Sequence, residues 1–151
     1  MTTVTLLDSS ALLRLCLGEG DLALIEAAMA GTPAVSVLAA VELPCAIAAR
    51  RHRGALSRQD AAGLQATVRR LLAATAQVGL SLAVREEAVA IAAQHLLRGL
   101  DAVHLGTAVV VARQQQRRGN LVRFCTADLR QAEAAVALLG FARVDVVPPY
   151  A

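Results

Sequence analysis

Val4-Thr5-Leu6-Leu7-Asp8-Ser9-Ser10-Ala11-Leu12-Leu13 is the stretch from which the fold can be read. Its first four residues are apolar and β-prone, and they predict a short strand that starts almost at the first residue. Asp8 ends that strand, and Asp8 or Ser9 supplies a cap for a helix over residues 11–17, broken by Gly18-Glu19-Gly20. The same order returns late in the chain. Leu121-Val122-Arg123-Phe124-Cys125 reads as a strand, Thr126-Ala127-Asp128 closes it, and a helix follows to about residue 139. A strand that runs straight into a helix reaches its next neighbour by a crossover, and crossovers make parallel pairs.

The segments between obey the same rule. Asp21 opens a short helix to about residue 30, and Gly31-Thr32-Pro33 turns the chain into a strand over residues 34–37. A helix over residues 38–51 follows, then a basic turn at Arg50-Arg51-His52-Arg53-Gly54. Ser57 with Asp60 predicts the cap of a long helix reaching about residue 76. Val78-Gly79-Leu80 is a third strand. Helices over residues 84–97, stopped by Gly99, and 101–118, stopped by Gly119-Asn120, lead to the late strand. A final strand over residues 142–147 ends at Pro148-Pro149. The expectation is one α/β domain over residues 1–151, three layers deep (α/β/α), with a central parallel sheet.

Composition narrows the function. Apolar residues are 56% of the chain and charged residues 18%, which excludes disorder. Aromatics are 2%: Phe124, Phe141 and Tyr150. That excludes the aromatic platforms of single-strand-binding folds. The net charge is +3 and, with no Lys in the chain, every permanently positive side chain is Arg, whose planar fork suits phosphate, although a coding bias toward Arg is the better explanation of the missing Lys. Cys16, Cys45 and Cys125 lie in apolar runs without paired spacing, as buried reduced thiols of a cytoplasmic protein would. The apolar run over residues 102–112 is well short of the ~20 needed to span a bilayer, so no membrane is expected.

The acids are oddly placed. Asp8 and Asp128 follow strands at their C-terminal ends, where open α/β sheets bind ligands. Glu42 is apolar-flanked in Leu38-Ala39-Ala40-Val41-Glu42-Leu43, and Asp101 lies between Gly99-Leu100 and Ala102-Val103. Each Asp taken alone has a structural explanation at a helix start, as a cap or a first-turn acid; Glu42 has none. Together they require relief. Two carboxylates about 4 Å apart repel by roughly 4 kcal/mol at an effective dielectric near 20. A proton or a divalent cation removes that repulsion, and all-oxygen ligands suit Mg²⁺ or Mn²⁺. A cation so held activates water against a phosphodiester, leaving a 5′-phosphate and a 3′-hydroxyl.

Four pieces then resemble one family: Leu6-Leu7-Asp8-Ser9-Ser10-Ala11-Leu12-Leu13, Ser36 through Glu42-Leu43, Leu100-Asp101-Ala102-Val103-His104-Leu105, and Phe124-Cys125-Thr126-Ala127-Asp128. In this order and spacing the chain resembles PIN-domain proteins, in particular the VapC-type toxins of bacterial toxin–antitoxin pairs. The resemblance implies an endoribonuclease, with tRNA as the usual target, and a small antitoxin that blocks the site. It implies that Asp8, Glu42 and Asp101 are the core acids and Asp128 the fourth. Asp8 and Asp101 would hold the metal directly, Glu42 and Asp128 partly through water, and Ser9 and Thr126 would orient a carboxylate or water.

Pro44 interrupts the Glu42 helix and predicts a kink there, or a later helix start. His104, one turn past Asp101, reads as a packed, hydrogen-bonded histidine. Arg50-Arg51-Arg53 is the preferred contact for RNA phosphates over Arg69-Arg70 and Arg117-Arg118. The surplus of apolar residues predicts exposed patches for a homodimer and an antitoxin groove, and a monomer in size-exclusion chromatography would count against the dimer. A receiver domain would need a late Lys, and a haloacid-dehalogenase-type phosphatase would need Asp-x-Asp after the first strand; this chain has neither. The remaining alternative is a catalytically inactive PIN-like module that binds RNA or protein.

Overall fold

The computed structural model describes residues 1–148; Pro149, Tyr150 and Ala151 lie outside the described residues. Five strands, β1 (Thr3–Leu7), β2 (Thr32–Ser36), β3 (Ala76–Val78), β4 (Leu121–Thr126) and β5 (Val144–Val146), form one sheet in the order β3-β2-β1-β4-β5. Every pairing is parallel. The connections are α1 (Ser9–Leu17) with α2 (Leu22–Ala30), α3 (Ala39–His52) with α4 (Arg58–Ala73), α5 (Leu82–His95) with α6 (Gly99–Gln116), and α7 (Leu129–Leu139).

Alternation along the strands builds a core on each face, because successive side chains point to opposite sides. Val4 and Leu6 of β1, Ala34 of β2 and Val122 and Phe124 of β4 pack with Ile91, Leu105 and Ala135 of α5, α6 and α7. Leu7, Val35 and Cys125 point the other way, against Leu12, Ile25, Leu43 and Val68 of α1 to α4. The result is the three-layer α/β/α arrangement that the strand–helix alternation predicted. No helix among the described residues is long and apolar enough to cross a membrane.

Some boundaries differ from the sequence expectation. β2 starts at Thr32 and includes Pro33. β3 pairs only from Ala34 onward, so Pro33 lies where β2 has a single neighbour and the missing donor is tolerated. The third strand is Ala76–Val78 rather than Val78-Gly79-Leu80. α5 stops at His95, with Leu96 in the left-handed region at φ 53°, and Gly99 begins α6 instead of stopping α5. Of the three free thiols Cys125 is buried and Cys16 partly so, whereas Cys45 is exposed. Cys45 follows Pro44 on α3, whose buried face is Ala39, Leu43 and Ile47.

The topology fixes where a site can form. From β1 the chain winds outward to β2 and β3, then returns to the other side of β1 as β4. The switch point is therefore the crevice beyond the C-terminal ends of β1 and β4, where Leu7 pairs with Cys125.

Candidate active site

Asp8 occupies that switch point. It caps α1 by accepting the Ala11 amide at 2.9 Å, and it is buried. Ser10 Oγ donates to its two oxygens at 2.7 and 2.8 Å, and Thr126 Oγ1 donates to Oδ2 at 2.6 Å. Burial pushes its carboxyl above the ordinary range, against the pull of those donors. Thr126, for which the resemblance implies such a role, thus has its hydroxyl on the Asp8 carboxylate. Ser10 does the same and was missed; its position two residues after a strand-end acid was the available signal.

Asp128 caps α7 through the Gln131 amide at 3.1 Å. Gln131 is fully buried, and its Nε2 donates to the backbone carbonyl of Asp101 at 2.7 Å, so the starts of α6 and α7 are tied together. Asp-x-x-Gln at a helix start was legible as a capping pattern, but the side-chain amide of Gln131 donates to α6 rather than back to its own cap.

Glu42 stands in the first turn of α3, which continues past Pro44 to His52. Pro44 does not divert it from the other acids. Ser9 Oγ donates to Glu42 Oε1 at 2.9 Å, and His104 Nε2 makes a very short contact with the same oxygen. Burial alone would raise the Glu42 carboxyl, but the His104 hydrogen bond and charge outweigh it, with help from Ser9, and hold it below its ordinary value. His104 is buried and hydrogen-bonded as expected; that its partner is Glu42, 62 residues earlier, was not legible.

Asp101 lies in the first turn of α6. Among the described residues its carboxylate has no hydrogen-bond partner. Burial raises its pKa, and the charge of Asp128 adds to this, with a smaller contribution from Glu42; His104 and Arg98 oppose the rise. The acids therefore sense one another.

All four carboxylates line one cavity of about 230 Å³, together with Ser9, Ser10 and His104. Asp101 and Asp128 also line a neighbouring cavity of about 440 Å³ flanked by Arg98 and Arg130. On the other side, Glu42 and Asp101 border an apolar groove of about 700 Å³ formed with Leu38, Leu80, Val89, Leu100, Arg85 and Arg98. The favoured basic cluster Arg50-Arg51-Arg53 sits at the far end of α3, about 12 Å or more along the helix from Glu42. Arg98 and Arg130 instead line the neighbouring cavity beside Asp101 and Asp128, a placement that only the folded topology reveals.

Two solved structures share the architecture. One is described as a toxin–antitoxin complex from Klebsiella pneumoniae, with a TM-score of 0.59, 20% identity, and coverage of 97% of this chain and 98% of that one. The other, PAE2754 from Pyrobaculum aerophilum, has a TM-score of 0.63, 18% identity, and coverage of 95% and 84%. At such identities the likeness is one of fold. No curated protein matches the chain in sequence. A family model described as PIN domain matches residues 5–137, and the chain therefore belongs to the PIN-domain family.

Proposed function

We propose that the protein is a divalent-cation-dependent endoribonuclease and the VapC-type toxin of a toxin–antitoxin pair, with tRNA as the expected substrate class. The observation that carries this reading is the meeting of Asp8, Glu42, Asp101 and Asp128 around one cavity, although they are scattered from one end of the chain to the other. Membership of the PIN family supports a nuclease, and the Klebsiella neighbour, described as part of a toxin–antitoxin complex, supports the pairing.

The donor set suits a hard cation in kind. Its side chains offer carboxylate and hydroxyl oxygens, and Asp101 carries a raised pKa that a cation would reverse. Among the described residues no group of three or more His, Cys, Asp or Glu side chains is already arranged to hold a metal ion. Glu42 is engaged by His104 and Ser9, and Asp8 by Ser10 and Thr126. Asp8 and Asp101 would hold Mg²⁺ or Mn²⁺ directly, and Glu42 and Asp128 partly through water.

When bound, the cation lowers the pKa of water and neutralises charge on the phosphodiester. The protein does the rest by placement. Ser10 and Thr126 fix Asp8, Ser9 fixes Glu42, and the carboxylates facing the cavity accept the proton of the attacking water. Water adds to phosphorus as the bond to the 3′ oxygen breaks, and that oxygen takes up a proton from solvent, leaving a 5′-phosphate and a 3′-hydroxyl. Arg98 and Arg130 take the flanking phosphates of the RNA. The groove rimmed by the exposed Leu80, Val89 and Leu100 offers an antitoxin an apolar seat adjoining the acids, and the same exposure supports a homodimer.

The test is cleavage of tRNA by the purified protein with Mg²⁺ or Mn²⁺. Activity should vanish with EDTA and in Asp101→Asn. Cleavage that survives either control would reject the mechanism, and a protein that binds RNA without ever cutting it would favour the inactive module.

A further inference from the structure

His104 and Glu42 meet across the sheet. His104 belongs to α6 on one face, while Ser9 and Glu42 belong to α1 and α3 on the other. Both protein donors fall on the same oxygen: Ser9 Oγ reaches Glu42 Oε1 at 2.9 Å, and His104 Nε2 contacts that atom too while lying 3.2 Å from Ser9 Oγ. Glu42 Oε2 has no hydrogen-bond partner among the described residues. A carboxylate only accepts, so Nε2 carries the hydrogen. His104 Nδ1 is buried and has no partner. The ring is consequently held in one orientation, with its Nε2–H directed at Glu42.

A Glu side chain has three torsions and samples many positions unless it is held. Glu42 is only partly buried, so packing alone does not hold it. We propose that His104 is a positioning residue for the cation site: with Ser9 it clamps Oε1 of Glu42 and leaves Oε2 as the oxygen available to a divalent cation or to its water. This rests on the reading of the cavity as a cation site. A histidine that merely filled the core would contribute to stability without influencing what the cavity binds.

Calorimetric titration with Mn²⁺ separates these roles, using the whole protein and two variants whose folding is checked by circular dichroism. His104→Leu keeps the bulk and loses the donor, while His104→Gln keeps an N–H. Mn²⁺ should bind His104→Leu about 10- to 100-fold more weakly than wild type, the usual loss when an outer-shell partner of a ligand is removed. His104→Gln should recover most of that loss. Leu and Gln variants that both match wild type, or that are equally weak, overturn the positioning role. Wild type that takes up no Mn²⁺ overturns the cation site itself, and this inference with it. Should His104→Leu fail to fold, nitrogen NMR of the wild-type imidazole decides: the Nε2–H form is expected, with a shift on adding Mg²⁺, and a signal indifferent to saturating Mg²⁺ overturns the link.

Discussion

Asp8 caps α1, receives two hydroxyls and is buried, so its charged form loses most of its hydration. The sign of the consequence follows from linkage. Burial raises the folded-state pKa above the unfolded value of 3.8, so the folded protein keeps a proton that the unfolded chain has released. Its contribution to stability is present below the unfolded value and is lost as pH rises through the folded one. In thermal melts without metal, wild type should lose stability as pH climbs above the ordinary carboxyl range. Asp8→Asn keeps the cap, removes the charge and should flatten that slope. Steeper loss in the variant would contradict the assignment.

The close approach of α5 and α6 depends on Gly106. A Cβ there would stand 3.1 Å from the Ala88 amide nitrogen and 3.3 Å from the Val84 carbonyl oxygen, both backbone atoms that no rotamer change can move aside. Gly106→Ala gains helix propensity but must push the two helices apart, and a net loss of about 1 kcal/mol is expected. That should appear as a melting temperature lower by about 2–4 °C. Because α6 also carries Asp101 and His104, the same shift should weaken metal uptake.

Legibility in the sequence followed how local each signal was. β1 and β4, with their terminal acids, announce themselves through apolar β-prone residues followed by a cap, and the structure keeps both. β3 is an edge strand of Ala-Gln-Val with two exposed residues, which gives no pattern to find. The end of α5 was misplaced because Leu96 adopts the left-handed conformation usually left to Gly. The four acids were readable from their strand-end and apolar settings. The supports of Ser10, Gln131 and His104 were not, because each acts on a group delivered by another element, and only folding decides which group arrives.

Across the molecule, acids and arginines divide the surface around the crevice. Asp101 and Asp128 share one cavity with Arg98 and Arg130, whereas Arg51 and Arg53 lie exposed at the C-terminal end of the Glu42 helix. Arg98→Ala with Arg130→Ala should weaken RNA binding across sequences and make it less salt-dependent, since each phosphate contact contributes to the counterion slope. Arg51→Ala with Arg53→Ala should do so much less. Filter binding at several salt concentrations measures both, and the opposite ranking would move the RNA path to α3.

The walls of the acidic cavity come from positions 8, 42, 101 and 128. No early portion of the polypeptide can close them. A ribosome partway through the message therefore carries an unfinished pocket, and its contents assemble only when α7 has emerged and docked.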